Sequence, residues 1–146
     1  MFRFIASLGL VALAALLQLT NYAFIAGVKP NFTFVAILIF ALIYTDWLKR
    51  AILIFIAALV LKFNQGIELE YILFILSSLM GILIIDKLPS SRFINSILAV
   101  LAATLFMNIF HFEVWPLFKE MAYNILIFLS FYGIYQLWHG VLEKRQ

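Results

Sequence analysis

Three residues late in the chain are of types that could begin a metal site. His111 and Glu113 lie two positions apart, and Asn108 precedes His111 by three. Imidazole and carboxylate groups bind zinc, but zinc sites in proteins use three or four protein ligands. The other histidine, His139, is predicted near the opposite end of the last helix and cannot join them. We therefore predict no metal site and no cofactor, and a loop or helix-capping role for Asn108 and His111.

A second polar pair, Gln18 and Asn21, is spaced to lie on one face of a helix. Such residues could line a ligand cavity or bind a helix of a partner protein. More often, polar side chains in an apolar helix hold neighbouring helices of the same bundle together. We favour that structural role and keep the binding role open.

Catalytic patterns are missing from the sequence. Glu68 and Glu70 could form an acid–base pair, but they lie at a predicted helix start, where negative charge is favourable in any case. The HExxH, GxSxG and P-loop motifs do not occur. The chain contains no cysteine, which excludes disulfides and thiol chemistry. We predict that the protein is not an enzyme and has no catalytic residue.

The fractions of apolar and charged residues indicate whether the chain folds in water or in lipid. Hydrophobic residues make up 66% of the 146 residues and charged residues 12%, against about 45–50% and about 25% in soluble domains. A single domain of this size cannot bury so much apolar surface in water. The basic residues form no continuous stripe, so we predict no nucleic-acid partner. The sequence predicts an all-α integral membrane protein, one domain over residues 1–146, with the lipid bilayer as its partner.

Charged residues, prolines and glycines divide the chain into a bundle of six transmembrane helices. The predicted spans cover residues 4–26, 31–45, 48–62, 67–85, 93–110 and 117–142. The first run is longer than the apolar core of a signal peptide, so we expect a retained span. The second and third spans are short, since fifteen helical residues reach only about 22 Å of a bilayer core of about 30 Å. A spanning hairpin is favoured over a pair that enters the membrane and returns.

The basic residues predict the orientation of these spans. Three of them, Lys29, Lys62 and Lys119, fall on one predicted side, with Glu113 and Glu120. Seven fall on the other side: Arg3, Lys49, Arg50, Lys87, Arg92, Lys144 and Arg145. This asymmetry predicts that both termini are cytoplasmic. Close helix packing is predicted at three pairs of small residues: Ala23 with Gly27, Ser77 with Gly81, and Ala99 with Ala103. The tryptophans are predicted to anchor the protein at the membrane interfaces: Trp47, Trp115 and Trp138.

The first third of the chain contains the segments Leu16-Leu17-Gln18-Leu19-Thr20 and Gly27-Val28-Lys29-Pro30-Asn31, followed by an apolar run from Phe32. In these segments the chain resembles the MreD family of bacterial rod-shape proteins. The chain departs from the family pattern at Asn31, where an acidic residue is usual. It departs again at Val60-Leu61-Lys62, where a glycine and an acidic residue are often found.

This resemblance implies a non-enzymatic scaffold in the bacterial cytoplasmic membrane, which helps to assemble the machinery of cell-wall elongation. The implied partners are MreC-like and MreB-like proteins and the RodA glycosyltransferase with its transpeptidase. The family fold is also similar to the substrate-binding S components of ECF vitamin transporters, which supplies an alternative function. Contact residues for a partner or ligand are then Gln18, Asn21, Lys29, Pro30, Asn31, Asn108, His111 and Trp115.

Overall fold

The computed structural model describes residues 2–20, 27–62, 69–110 and 113–143, with side chains for residues 3–20, 27–62, 69–110 and 113–136. These residues form six α-helices and no strand, which confirms the all-α class. The helices are α1 (Phe2–Leu19), α2 (Phe32–Ile43), α3 (Trp47–Lys62), α4 (Leu69–Lys87), α5 (Arg92–Met107) and α6 (Val114–Glu143).

The shortest helix, α2, lies at the centre of the bundle. It packs against every other helix, and eight of its twelve residues are buried. The other five follow one another around it in the order α1, α3, α4, α5, α6. Over the described residues α6 does not pack against α1, so the ring is open on one side of α2. A helix that is apolar on all faces is stable only when it is surrounded, and α2 carries no charged residue.

Successive helices run in alternating directions, which gives the bundle two distinct ends. At one end the Ser7 and Tyr44 hydroxyls share a hydrogen bond, the Phe4 ring packs edge-on against the Tyr44 ring, and the Arg50 guanidinium binds the Asp86 carboxylate. We call this the basic end, defined by Arg3, Lys49, Arg50, Lys87 and Arg92. At the opposite end the side chains of Gln18, Asn31, Asn108 and Asn124 meet; we call this the amide end. The described basic residues are therefore separated as the sequence predicted, with Lys29 and Lys119 towards the amide end.

Helix α1 is described as far as Leu19, and residues 21–26 of the predicted first span lie outside the described residues. After this helix the Thr20 hydroxyl and backbone N–H both donate to the Leu17 carbonyl, at 2.7 and 3.1 Å. Gly27 adopts a φ of +80° in a turn, a conformation that favours glycine. Ala23, predicted to pair with Gly27, also lies outside the described residues.

The other boundaries differ by a few residues. Helix α4 continues to Lys87, beyond the Asp86 at which the sequence predicted a stop, and α5 ends at Met107, not at Phe110. Helix α6 starts at Val114, three residues before the prediction, so Pro116 lies in its first turn, where proline is tolerated. Glu120, within the predicted sixth span, is part of α6.

Within the described part of the chain, two helices have the length and apolar composition needed to cross a membrane, namely α4 and residues Val114–Gln136 of α6. Helix α2 has twelve residues and is about 18 Å long, so the prediction that it is short is confirmed. Its central position accounts for the length, because the surrounding helices cover its sides.

Gly81 allows α4 to approach α2 closely. A Cβ atom at position 81 would lie 2.8 Å from Leu38 Cδ2 and 3.5 Å from Phe34 Cζ, and both of these side chains are fully buried. Ser77 is buried one turn earlier, and Ala99 and Ala103 are buried on α5. Two of the three predicted pairs of small residues therefore face the interior.

Replacing Gly81 with leucine is expected to destabilise the bundle by about 1–3 kcal/mol, because buried Leu38 and Phe34 cannot make room for it. Thermal unfolding of the detergent-purified protein measures the effect. Gly133→Leu is the matched control, since a Cβ at position 133 meets nothing within 4 Å. Equal stability of the two variants would contradict close packing of α2 on α4.

Candidate functional site

Side chains from three helices satisfy the exposed backbone groups at the start of α2. The Asn31 carboxamide oxygen accepts from the Phe34 N–H at 3.0 Å and caps the helix. Gln18 Oε1, from the end of α1, accepts from the Phe32 N–H at 3.0 Å, and Asn124 Oδ1, from α6, accepts from the Asn31 N–H at 2.7 Å. These N–H groups have no partner within the helix itself. Three side-chain amides therefore provide the acceptors for the N–H groups at the start of α2.

The same network continues into the contact between α5 and α6. Asn124 is fully buried, and its Nδ2 donates to the Thr104 hydroxyl at 3.0 Å. Asn108 caps the end of α5, where its Nδ2 donates to the Thr104 carbonyl and to Glu120 Oε2, each at 2.9 Å. We call this set the amide cluster: Gln18, Asn31, Thr104, Asn108, Glu120 and Asn124.

A buried arginine satisfies the other end of α2. The Arg50 side chain, from the first turn of α3, is only 3% exposed. Its Nη2 donates to the Ala41 carbonyl at 2.7 Å, and its Nε donates to the Tyr44 carbonyl. Both guanidinium Nη atoms also donate to the Asp86 carboxylate of α4, which makes the pair bidentate. The sequence grouped Arg50 with the basic residues of one predicted side, and its burial became visible only in the structure, where the guanidinium binds carbonyls at the end of α2.

Asn95 plays a similar part at the end of α4. Its buried Nδ2 donates to the carbonyls of Ile85, Leu88 and Ser90 at 2.9–3.3 Å. The last carbonyls of a helix have no partner within the helix. Asn95 therefore fixes the turn between α4 and α5, and with it the position of Asp86 beside Arg50.

The structure brings together three of the residues predicted from the sequence as contact candidates, namely Gln18, Asn31 and Asn108. Pro30 is buried beside them, and partial burial lowers the pKa of Lys29 from its usual value of 10.5. Trp115 is 77% exposed and takes no part in the cluster. Asn21 and His111 lie outside the described residues, so the structure does not describe the distance between His111 and Glu113.

The sequence analysis did not identify Thr104, Glu120 and Asn124 of the amide cluster, nor the pair of Arg50 with Asp86. Glu120 and Asn124 are four residues apart on α6, and Thr104 and Asn108 are four apart on α5, which places each pair on one helix face. That spacing was available as a signal and was not used, because Glu120 was considered only as a charge on one predicted side of the bundle. The pairing of Arg50 with Asp86 gives no comparable signal, since the two residues are far apart in the chain.

The hydrogen bonds of the amide cluster hold helix ends and neighbouring helices in place. The described amide hydrogen bonds end on backbone groups of α2 and α5 or on neighbouring side chains, and no group of three or more His, Cys, Asp or Glu forms within the described residues. Comparison of the chain with protein-family models, curated proteins and solved structures found no match.

Replacing Asn124 with leucine is expected to lower the free energy of unfolding by about 1–3 kcal/mol, because the Asn31 N–H then loses its acceptor inside the bundle. Denaturant unfolding in mild detergent provides the measurement. The control is Gln136→Leu on the same helix, where the exposed amide binds only the Tyr132 hydroxyl. A loss of stability no greater than that of the control would show that Asn124 does not hold the start of α2.

Asp86→Asn is expected to destabilise the protein by about 2 kcal/mol. This cost is lower than that of breaking a fully buried pair, because the Asp86 side chain is 28% exposed. The exposed Lys49–Asp46 pair, at 3.7 Å, is the comparison, and Lys49→Met should cost less than about 1 kcal/mol. Unfolding in detergent at low and high salt should show little salt dependence for the Asp86 effect, since Arg50 is shielded from solvent. A strong dependence would mean that the pair is open to water.

Proposed function

We propose that this protein is an integral membrane protein of the bacterial cytoplasmic membrane, with both termini cytoplasmic. Support comes from its outer surface, where large apolar side chains are exposed on every helix of the ring. Soluble monomers rarely expose contiguous apolar patches of more than a few hundred Å². Examples from three of these helices are Leu10, Leu13 and Leu16 on α1, Ile72, Leu76 and Leu83 on α4, and Leu126, Leu129 and Ile134 on α6.

The two ends of the bundle support this orientation. Five basic residues against two acidic ones, Asp46 and Asp86, define the basic end over the described residues. Excess lysine and arginine is typical of the cytoplasmic side of a membrane protein. Helix α2 spans only part of the bilayer thickness, and we propose that its capped ends lie within the protein, where irregular backbone is tolerated at membrane depth.

The observation that carries a functional proposal is the open side of the ring. Between α1 and α6 the face of α2 is covered by neither helix, which leaves an apolar groove of about 270 Å³. Its floor is formed by Phe32, Ala36 and Phe40, and its walls include Ala14 of α1 and Phe131 of α6. Small residues such as Ala14 and Ala36 allow another helix to approach closely in a membrane. A transmembrane helix from a partner would close the ring and cover α2.

We propose that the protein is a non-enzymatic scaffold that binds a partner helix in this groove. Its resemblance to the MreD family points to an MreC-like protein as the partner, and to assembly of the cell-wall elongation machinery, with MreB-like proteins and a RodA-type glycosyltransferase in the same complex. The residues that carry the resemblance, Gln18 and Lys29 to Asn31, lie at the junction of α1 and α2, beside the end of the groove at Leu17 and Phe32.

The alternative, a vitamin-binding transporter subunit, placed a pocket between Asn21, Asn108, His111 and Trp115. Two of these residues are described, and neither is arranged for such a pocket. The Asn108 amide is bound to Thr104 and Glu120, and Trp115 is 77% exposed. A thermal-shift screen with vitamins separates the two functions, since the scaffold proposal predicts no stabilisation.

Filling the groove tests the proposal. Ala14→Phe should reduce co-purification with an MreC-like protein in mild detergent about tenfold, because overpacking a helix contact costs about 1–3 kcal/mol. Ala122→Phe, at an exposed position on α6 that does not line the groove, is the matched control.

If both variants retain the partner, the interface lies elsewhere on the surface of the protein. Failure of the unmodified protein to bind the partner, together with unchanged cell shape on depletion of a rod-shaped host, would refute the scaffold role. If the groove holds lipid acyl chains instead, Ala14→Phe leaves partner binding unchanged and releases bound lipid.

A further inference from the structure

A second cavity, of about 420 Å³, lies at the basic end, where α3, α4 and α5 meet. Small-molecule sites in proteins commonly have volumes of about 300–1,000 Å³. The groups that line it are mostly polar: Thr45, Arg50, Asp86, Ser90, Arg92 and Asn95. It is separate from the apolar groove, which lies between α1 and α6.

Two cations with different roles lie in the cavity wall. The Arg50 guanidinium is 3% exposed and uses four hydrogen bonds to hold Ala41, Tyr44 and Asp86. A guanidinium has five N–H donors, so one Nη1 donor remains unused. Arg92 is exposed and its guanidinium forms no ion pair or hydrogen bond with any described residue. Against the single carboxylate of Asp86, these two guanidiniums leave the cavity with one positive charge in excess.

An acceptor without a partner completes the wall. Asn95 is 1% exposed, its Nδ2 is committed to three carbonyls, and its Oδ1 has no hydrogen-bond partner. Leaving a buried acceptor unpaired costs free energy. A ligand that fits this wall therefore carries a negative charge for the arginines and a hydroxyl or ammonium donor for Asn95.

We propose that this cavity binds the phosphodiester headgroup of an anionic membrane lipid that also bears a donor, for which phosphatidylglycerol is the probe. Basic pockets between transmembrane helices on the cytoplasmic side are suited to anionic headgroups. The phosphate lies against Arg92 and the free Nη1 donor of Arg50, and a glycerol hydroxyl donates to Asn95 Oδ1. This inference rests on the membrane residence proposed above, but not on the scaffold role.

Native mass spectrometry of the detergent-purified full chain, with phosphatidylglycerol or phosphatidylcholine added, tests the site. Arg92→Gln should reduce the retained phosphatidylglycerol about fivefold, the effect of about one basic residue near an anionic lipid. Lys87→Gln removes an equal charge at the same end of the bundle without touching the cavity and should leave retention unchanged. Because the Arg92 guanidinium forms no ion pair or hydrogen bond with a described residue, both variants should keep the thermal stability of the unmodified protein.

Each result has a distinct meaning. Equal losses in the two variants would show diffuse surface attraction and overturn the site, as would equal retention of phosphatidylcholine. Binding of soluble sn-glycerol 3-phosphate that depends on Arg92, without lipid retention, would assign the cavity to a free phosphoester and overturn the lipid. Recovery of the chain from cells without detergent would refute membrane residence itself, whereas loss of partner binding alone would leave the lipid result unaffected.

Discussion

The structure depends on satisfying the backbone at both ends of a short, central, apolar helix. Helix α2 is surrounded by the bundle, so the N–H groups at its start and the carbonyls at its end cannot rely on water. Gln18, Asn31 and Asn124 bind the first set, and Arg50 binds the second. The polar residues of the interior are placed by this requirement, and the other helices are positioned through the same bonds.

This constraint links the fold to the proposed function. Because the amides of Gln18, Asn31 and Asn124 are committed to the start of α2, they are poorly suited to bind a ligand. The remaining surfaces differ in character: an apolar groove where the ring of helices is open, and a cationic cavity beside Arg50. We propose a partner helix for the first and a lipid headgroup for the second, and both occupants agree with the scaffold role proposed above.

The sequence predicted that the second span is short for a bilayer core, and the central position of α2 is compatible with that length. A helix of about 18 Å cannot cross the hydrocarbon core alone, but it can lie inside a ring of other helices. The approach of α4 through Gly81 and the contact between α2 and α6 at Asn124 keep the ring closed over most of its circumference. Covering the rest is the physical reason for expecting a partner at the groove.

The sequence by itself determined the six apolar helices, their alternating direction and the collection of basic residues at one end, because hydrophobic runs, helix breakers and charge are local properties. It also identified Gln18, Asn31 and Asn108, since polar side chains in apolar helices need partners. Only the tertiary structure decided that these amides meet Asn124 and Glu120, that Arg50 is buried against Asp86, and that α2 is central. Those facts depend on contacts between residues far apart in the chain, and no local pattern specifies which helix faces meet.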